Sequence, residues 1–263
     1  MINLRPCSGL CNRLRAMNGA YWFARHIGCR LNVFWRVDDS MNTRFSELFE
    51  VPEDMSLIEM KPESYFSRGL FSWLNPFACR VNDRERFERR VAAARGWGPW
   101  ALTEYAEFYK DEFSSYSWLR PVAALQKQID EFRLKLGDNP IGVHIRRTDN
   151  EMSIKYSPLI LFEEKIRGEL VKNPRQKFFL ATDDVPTKIR LLSLFGDSLL
   201  TRQDIAVREA ENGVRDAAVD LMLLASCSKL YGSYYSSFSE VAAAIGNVRL
   251  EQLKCVSTVS CEG

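Results

Sequence analysis

Ile141-Gly-Val-His-Ile-Arg-Arg-Thr-Asp149 decides the fold. Pro140 precedes a short apolar run that closes on two arginines and an aspartate. A run of this length, bounded by proline and polar residues, reads as a buried strand of a parallel sheet. Period-two alternation puts Val143 and Ile145 on one face and His144 and Arg146 on the other. In such sheets ligands sit beyond the carboxyl ends of the strands, so Arg146, Arg147 and Asp149 stand where a ligand would bind. Two guanidiniums there suit a diphosphate, because each planar fork donates paired charge-assisted hydrogen bonds. The competing reading is a salt-bridged strand end in which Asp149 pairs with an arginine.

Downstream, Ser157-Pro158 supplies an N-cap and a first-turn proline for a helix through Val171. Residues 177–181 read as the next strand, ending in Thr182-Asp183-Asp184, with a helix over 185–194 and a short strand over 198–201. A helix over 214–227, a strand over 229–232 and a helix over 237–245 complete this half. Upstream, a strand over 2–5, a turn and a helix over 10–27 are followed by strands over 30–36, 55–60 and 100–102, with a short helix over 45–49. Residues 118–136 carry a 3.6-residue apolar stripe and read as a helix, ended by Gly137-Asp-Asn-Pro140. The alternation predicts an α/β chain of two Rossmann-like domains, 1–136 and 137–263, divided at that punctuation.

Apolar residues make up 46% of the 263 and charged residues 27%, the profile of a globular chain with a real core. A net charge of +2 excludes a strongly basic nucleic-acid binder on overall balance. No apolar run reaches the roughly 18 residues of a membrane span, and no leader peptide is expected. Seven cysteines without paired spacing are expected as free thiols in a reducing cytoplasm, with a Cys255–Cys261 bridge as the alternative. His26 and His144 are too few and too distant for a local zinc motif, and no metal is expected. Residues 65–77 are aromatic-rich, and 80–95 hold six arginines against three acids. They read as an irregular core segment with a solvated helix, or as a lip making peripheral contact with a membrane surface or glycan.

Two helix starts matter for chemistry. Ser236 and Ser237 open the last long helix, where hydroxyls and unpaired N–H groups suit a phosphate, or serve ordinary capping. The strand, small-residue loop and helix over residues 2–27 make a second anion cradle. There, Arg13 and Arg15 otherwise read as a solvated helix face.

HIRRTD, the later FFLATDD, and YYSSFSEVAAAIG resemble the three ordered motifs of the α1,6-fucosyltransferase and protein O-fucosyltransferase superfamily. SGLCNRLRAM near the start resembles that family's glycine-containing N-terminal loop, with Cys11 standing where the family carries glycine. The resemblance touches both ends and most of the second half, and 40–135 match nothing. It implies two Rossmann-like domains facing a cleft, the GT-B arrangement, with acceptor side in the first and nucleotide sugar in the second. It implies transfer of fucose from GDP-fucose to a hydroxyl of a glycan acceptor, with inversion. By the same resemblance His144 and Arg146 hold the diphosphate, Arg147 assists, and Ser236 and Ser237 bind phosphate. Asp220 reads guanine, Asn12 and Arg13 face the donor, and Asp183 and Asp184 are a structural acidic pair.

The chain has no Asp-x-Asp, so arginine rather than a metal would neutralise the leaving group. The family's candidate base, a glutamate ten residues after the histidine, is Ile154 here. Glu151 is the replacement base, with Asp149 bracing an arginine. Three alternatives stay open: a different nucleotide-sugar donor, a non-catalytic nucleotide- or glycan-binding protein, or a nucleic-acid binder using residues 80–95.

Overall fold

A computed structural model describes residues 1–60, 100–202 and 213–255. The aromatic stretch 65–77, the arginine-rich 80–95 and Cys261 lie outside the described residues. The chain divides into two compact units, Met1–Val122 and Ala123–Gly263, and each holds one sheet whose paired strands are all parallel.

In the first unit, β1 (Ile2–Pro6), α1 (Leu10–His26), β2 (Leu31–Arg36), β3 (Met55–Met60) and β4 (Trp100–Glu104) give the order β3-β2-β1-β4. Ile2, Leu4, Val33 and Trp35 are fully buried, as the alternation of β1 and β2 requires. The short helix expected over 45–49 is a single 3-10 turn, Phe45–Glu47.

The second unit runs α2 (Ala123–Leu136), β5 (Ile141–Ile145), α3 (Glu151–Tyr156), α4 (Leu159–Lys172), β6 (Phe178–Thr182), α5 (Val185–Phe195) and β7 (Leu199–Leu200). It ends with α6 (Gly213–Ala225), β8 (Lys229–Ser233), α7 (Ser237–Gly246) and β9 (Arg249–Leu253). Its strand order is β7-β6-β5-β8-β9. The order runs outward from β5 in both directions, so the topological switch point lies between β5 and β8.

Alternation along β5 holds. Val143 and Ile145 join Phe162, Ile166, Phe178 and Leu180 in one buried cluster. Each such side chain contributes about 1.5–3 kcal/mol by leaving water. Gly142 and His144 face the other layer. A Cβ on Gly142 would lie 2.3 Å from Leu230 Cδ2 of β8 and 3.0 Å from Leu224 Cδ2 of α6, so a larger residue would require these leucine side chains to shift.

Three expectations need correction. The helix expected from Trp118 begins at Ala123. Pro121 disfavours helix at the residue before it, and the chain there bridges to Phe49 instead. By contacts the first unit ends ahead of this helix, at Val122. Phe132 of α2 meets Phe179 edge-on at 5.4 Å, which ties the helix to the second sheet. Ser157 does not cap α4: Pro158 occupies the N-cap, and the serine hydroxyl donates to the Leu253 carbonyl at 2.6 Å. Finally, Cys7, Cys11, Cys29 and Cys227 form no disulfide, but Cys255 is disulfide-bonded, against the expectation of thiols throughout.

Candidate active site

The loop after β5 is built around one carboxylate. Asp183, the residue directly after β6, accepts from the Arg147 N–H at 2.7 Å and from the Thr148 hydroxyl at 2.7 Å. Its Oδ2 also pairs with Arg146 Nε at 3.3 Å. Parallel pairing of β5 with β6, Ile145 opposite Thr182, puts these two strand ends side by side. Arg146 donates its backbone N–H to Ser233 Oγ at 3.0 Å, at the end of β8, and its Nη2 pairs with Asp149 at 2.5 Å. Arg146 is thus fixed at the switch point from both neighbouring strands, its side chain 23% exposed. Asp184 caps α5 by accepting from the Thr187 N–H at 2.8 Å.

Arg147 differs from Arg146. It is half-buried, and its Nη1 donates to the Ile154 carbonyl at 3.4 Å. The sequence does not announce α3, yet Asn150 caps it by accepting from the Ser153 N–H and also donates to the Tyr235 carbonyl at 2.8 Å. Ser153 Oγ donates to the Tyr234 carbonyl at 2.7 Å. These bonds tie the arginine loop to the serine loop. Glu151 is the first residue of α3 and is exposed.

His144 is buried. Its ring stacks on Phe238 at 4.7 Å, and Nδ1 shares a hydrogen bond of 2.8 Å with Ser239 Oγ. Burial holds the imidazole down to about 4, with Asp183 opposing and Arg146 adding to the effect. It is therefore neutral near pH 7 and brings no positive charge.

Tyr235, held at φ +57°, leads into Ser236, the N-cap of α7. Ser236 is 4% exposed, and its side chain makes no capping bond. Ordinary capping therefore does not account for this serine. The first-turn N–H groups of α7 are left without a side-chain cap, and the helix follows β8, whose Ser233 holds the Arg146 N–H.

Asp220 lies on α6, buried, with Oδ1 lacking any hydrogen bond. Burial pushes its carboxyl up to about 7, although Arg202 opposes the shift.

In the first unit Arg13 is fully buried, not a solvated helix face. It donates to the Ser8 carbonyl at 2.7 Å, pairs with Asp38 at 2.9 Å and lies over Trp35 at 4.9 Å. It staples the loop ahead of α1, where Ser8 takes φ +70°. Asn12 donates to Ser8 Oγ at 3.0 Å.

The second unit therefore gathers Arg146, Arg147, Asp149, Asp183, Ser233 and Ser236 at one sheet edge, with His144 beneath. Sequence reading misses Ser233, Ser239 and Asn150. Ser239 lies within a quoted motif, and Ser233 and Asn150 each directly flank one, so adjacency was the signal that could have flagged them. Among the described residues, no group of three or more His, Cys, Asp or Glu is arranged to hold a metal ion. Nor does any described helix have the length and apolarity to cross a membrane.

The strand order of the second unit, with its switch point between β5 and β8, defines the doubly wound class of α/β folds. Within that class, the fold is shared with solved fucosyltransferases. NodZ from Bradyrhizobium is 18% identical, covers 92% of this chain and 90% of its own, and superposes with a TM-score of 0.65. POFUT1 in complex with GDP-fucose is 12% identical, with 96% and 97% covered and a TM-score of 0.57. Arabidopsis thaliana FUT1, solved with GDP, is 12% identical, with 95% of this chain and 69% of that chain covered at a TM-score of 0.62. No family model matches the chain, and no curated protein matches it in sequence.

Proposed function

We propose that the chain is an inverting glycosyltransferase that moves fucose from GDP-fucose to a hydroxyl of a glycan acceptor. One observation carries the reading. Arg146 is clamped at the switch point by Asp183 and Ser233, in a fold shared over 96% of the chain with a structure holding GDP-fucose.

In this reading the chain adopts the GT-B arrangement, with the donor bound mostly by the second unit and the acceptor served by the first. Arg146 takes up the charge that develops on the departing GDP. Asp149, 53% exposed, is the exchangeable partner that a diphosphate replaces, whereas Asp183 stays as the brace. Asp183 and Asp184 keep the strand end in register. Ser236, Ser237 and the first-turn amides of α7 bind a second phosphate oxygen. His144 serves as a neutral imidazole: Ser239 engages Nδ1, which leaves Nε2 for a phosphate oxygen. Asp220 accepts from the guanine ring N–H and amino group. Arg147 contributes charge and loop shape. Asn12 faces the donor, and Arg13 acts through the loop it staples.

Charge neutralisation by arginine gives a reaction that asks for no metal. Glu151, exposed at the start of α3, is the candidate base for the acceptor hydroxyl. GDP release from GDP-fucose over a panel of glycans tests the proposal. Acceptor-dependent release with fucose found in β-to-α inverted linkage is expected, and release of no GDP with any acceptor contradicts it.

A further inference from the structure

Arg202 follows β7 at the edge of the second sheet, and no motif draws attention to it. Its guanidinium is committed to Asp216: Nη1 donates to the Asp216 carbonyl at 2.9 Å and Nη2 to Oδ1 at 2.7 Å. The same Nη1 lies 3.5 Å from Asp220 Oδ1, yet that oxygen makes no hydrogen bond. Asp216 and Asp220 are one helical turn apart on α6, so both carboxylates reach the arginine from the same side. A desolvated carboxylate oxygen held by a long ion pair rather than a well-formed hydrogen bond is under-satisfied, and in a native fold that calls for a reason.

We propose that Arg202 is a positioning residue for the nucleotide. Clamped on Asp216, it lends positive charge to Asp220 without occupying its acceptors, which leaves that carboxylate open to a ligand edge carrying two adjacent N–H donors. This rests on the GDP-fucose reading, in which guanine supplies that edge.

Among the described residues, the charged groups facing Asp220 are Arg202 and Lys188, which favour its ionised form, and Asp216, which opposes it. Lys188 also donates to the Arg202 carbonyl, which holds the arginine in place from α5. Burial has the largest effect and holds the carboxyl near 7. A protonated Asp220 loses an acceptor, so donor affinity falls by about tenfold per pH unit below that value. His144 titrates far below this range.

GDP-fucose is the suitable probe, because its diphosphate carries no proton that titrates near neutrality. Its affinity is measured by calorimetry on the full chain from about pH 6 to about pH 8. Wild type is expected to show an inflection near 7. Arg202→Met should move it up by about one unit and weaken binding about tenfold at neutral pH. Arg202→Lys, which keeps the charge, should restore most of the position. IDP, which lacks the exocyclic amino group, should bind wild type more weakly than GDP. This comparison needs no variant to fold. An unmoved inflection in a folded Arg202→Met, a flat wild-type profile, or equal IDP and GDP binding would each overturn the proposal. Absence of GDP-fucose binding at every pH would instead remove the donor reading beneath it.

Discussion

Replacing Asp183 by alanine removes the centre of the arginine loop. The carboxylate holds two short hydrogen bonds, from the Arg147 N–H and the Thr148 hydroxyl, both at 2.7 Å. A hydrogen bond to a charged acceptor contributes about 1.5–3 kcal/mol. The pair with Arg146 is partly exposed, at 23% and 15% for the two side chains, and adds less than about 1 kcal/mol. Taking the lower end for each bond, because water can reach the 15% exposed carboxylate, gives a loss of about 3 kcal/mol for Asp183→Ala. Asp183→Asn keeps an acceptor for the Arg147 N–H and should lose about 1 kcal/mol. Denaturant titration reads both as shifts in midpoint at unchanged slope. Calorimetry should show weaker GDP-fucose binding in the same rank order, because Arg146 loses its brace. An alanine variant within about 0.5 kcal/mol of wild type would refute the view of Asp183 as the organising group.

Three further outcomes follow from the same geometry. Between about pH 6.5 and pH 4 the unfolded chain protonates a histidine that the folded chain keeps neutral. The stability contributed by neutral His144 is therefore present above 6.5 and lost as pH falls, by up to about 3 kcal/mol. His144→Gln should remove that part of the slope in unfolding measured across this range, and an identical slope in the variant would contradict the burial argument. Gly246→Ala should destabilise by about 2 kcal/mol or more, since its Cβ would lie 1.9 Å from the Ala225 carbonyl oxygen, a backbone atom; an unchanged melting temperature would refute this. Glu151→Gln should lower turnover about a hundredfold or more with donor affinity retained, and near-normal turnover would exclude Glu151 as the base.

Much of the fold was legible because burial and period agree in the long elements. β5 shows it best: five residues, bounded by Pro140 and arginines, with Val143 and Ile145 on the core side. Elements set by local polar contacts were not legible. Six-residue α3 has too little apolar periodicity to stand out, and it exists because Asn150 caps it and Ser153 ties it to Tyr234. Strand β9 carries Arg249, Glu251 and Gln252, so its edge position hides a strand pattern.

The site divides in the same way. Arg146 and Asp183 announce themselves as charges at strand ends. The neutrality of His144 and the buried state of Arg13 come from tertiary surroundings that spacing does not encode. Arg13 shows how far that reaches: its helical position suggested solvent, but Trp35, Asp38 and the Ser8 carbonyl enclose it.

Calorimetric titration of GDP-fucose into wild type and Arg146→Ala tests the central claim most directly. A guanidinium held at the β5–β8 switch point to meet a diphosphate predicts clear binding by wild type. It predicts a loss of at least about a hundredfold in the variant, with the fold intact by circular dichroism. Equal affinity in the two proteins, or no binding by either, would contradict it.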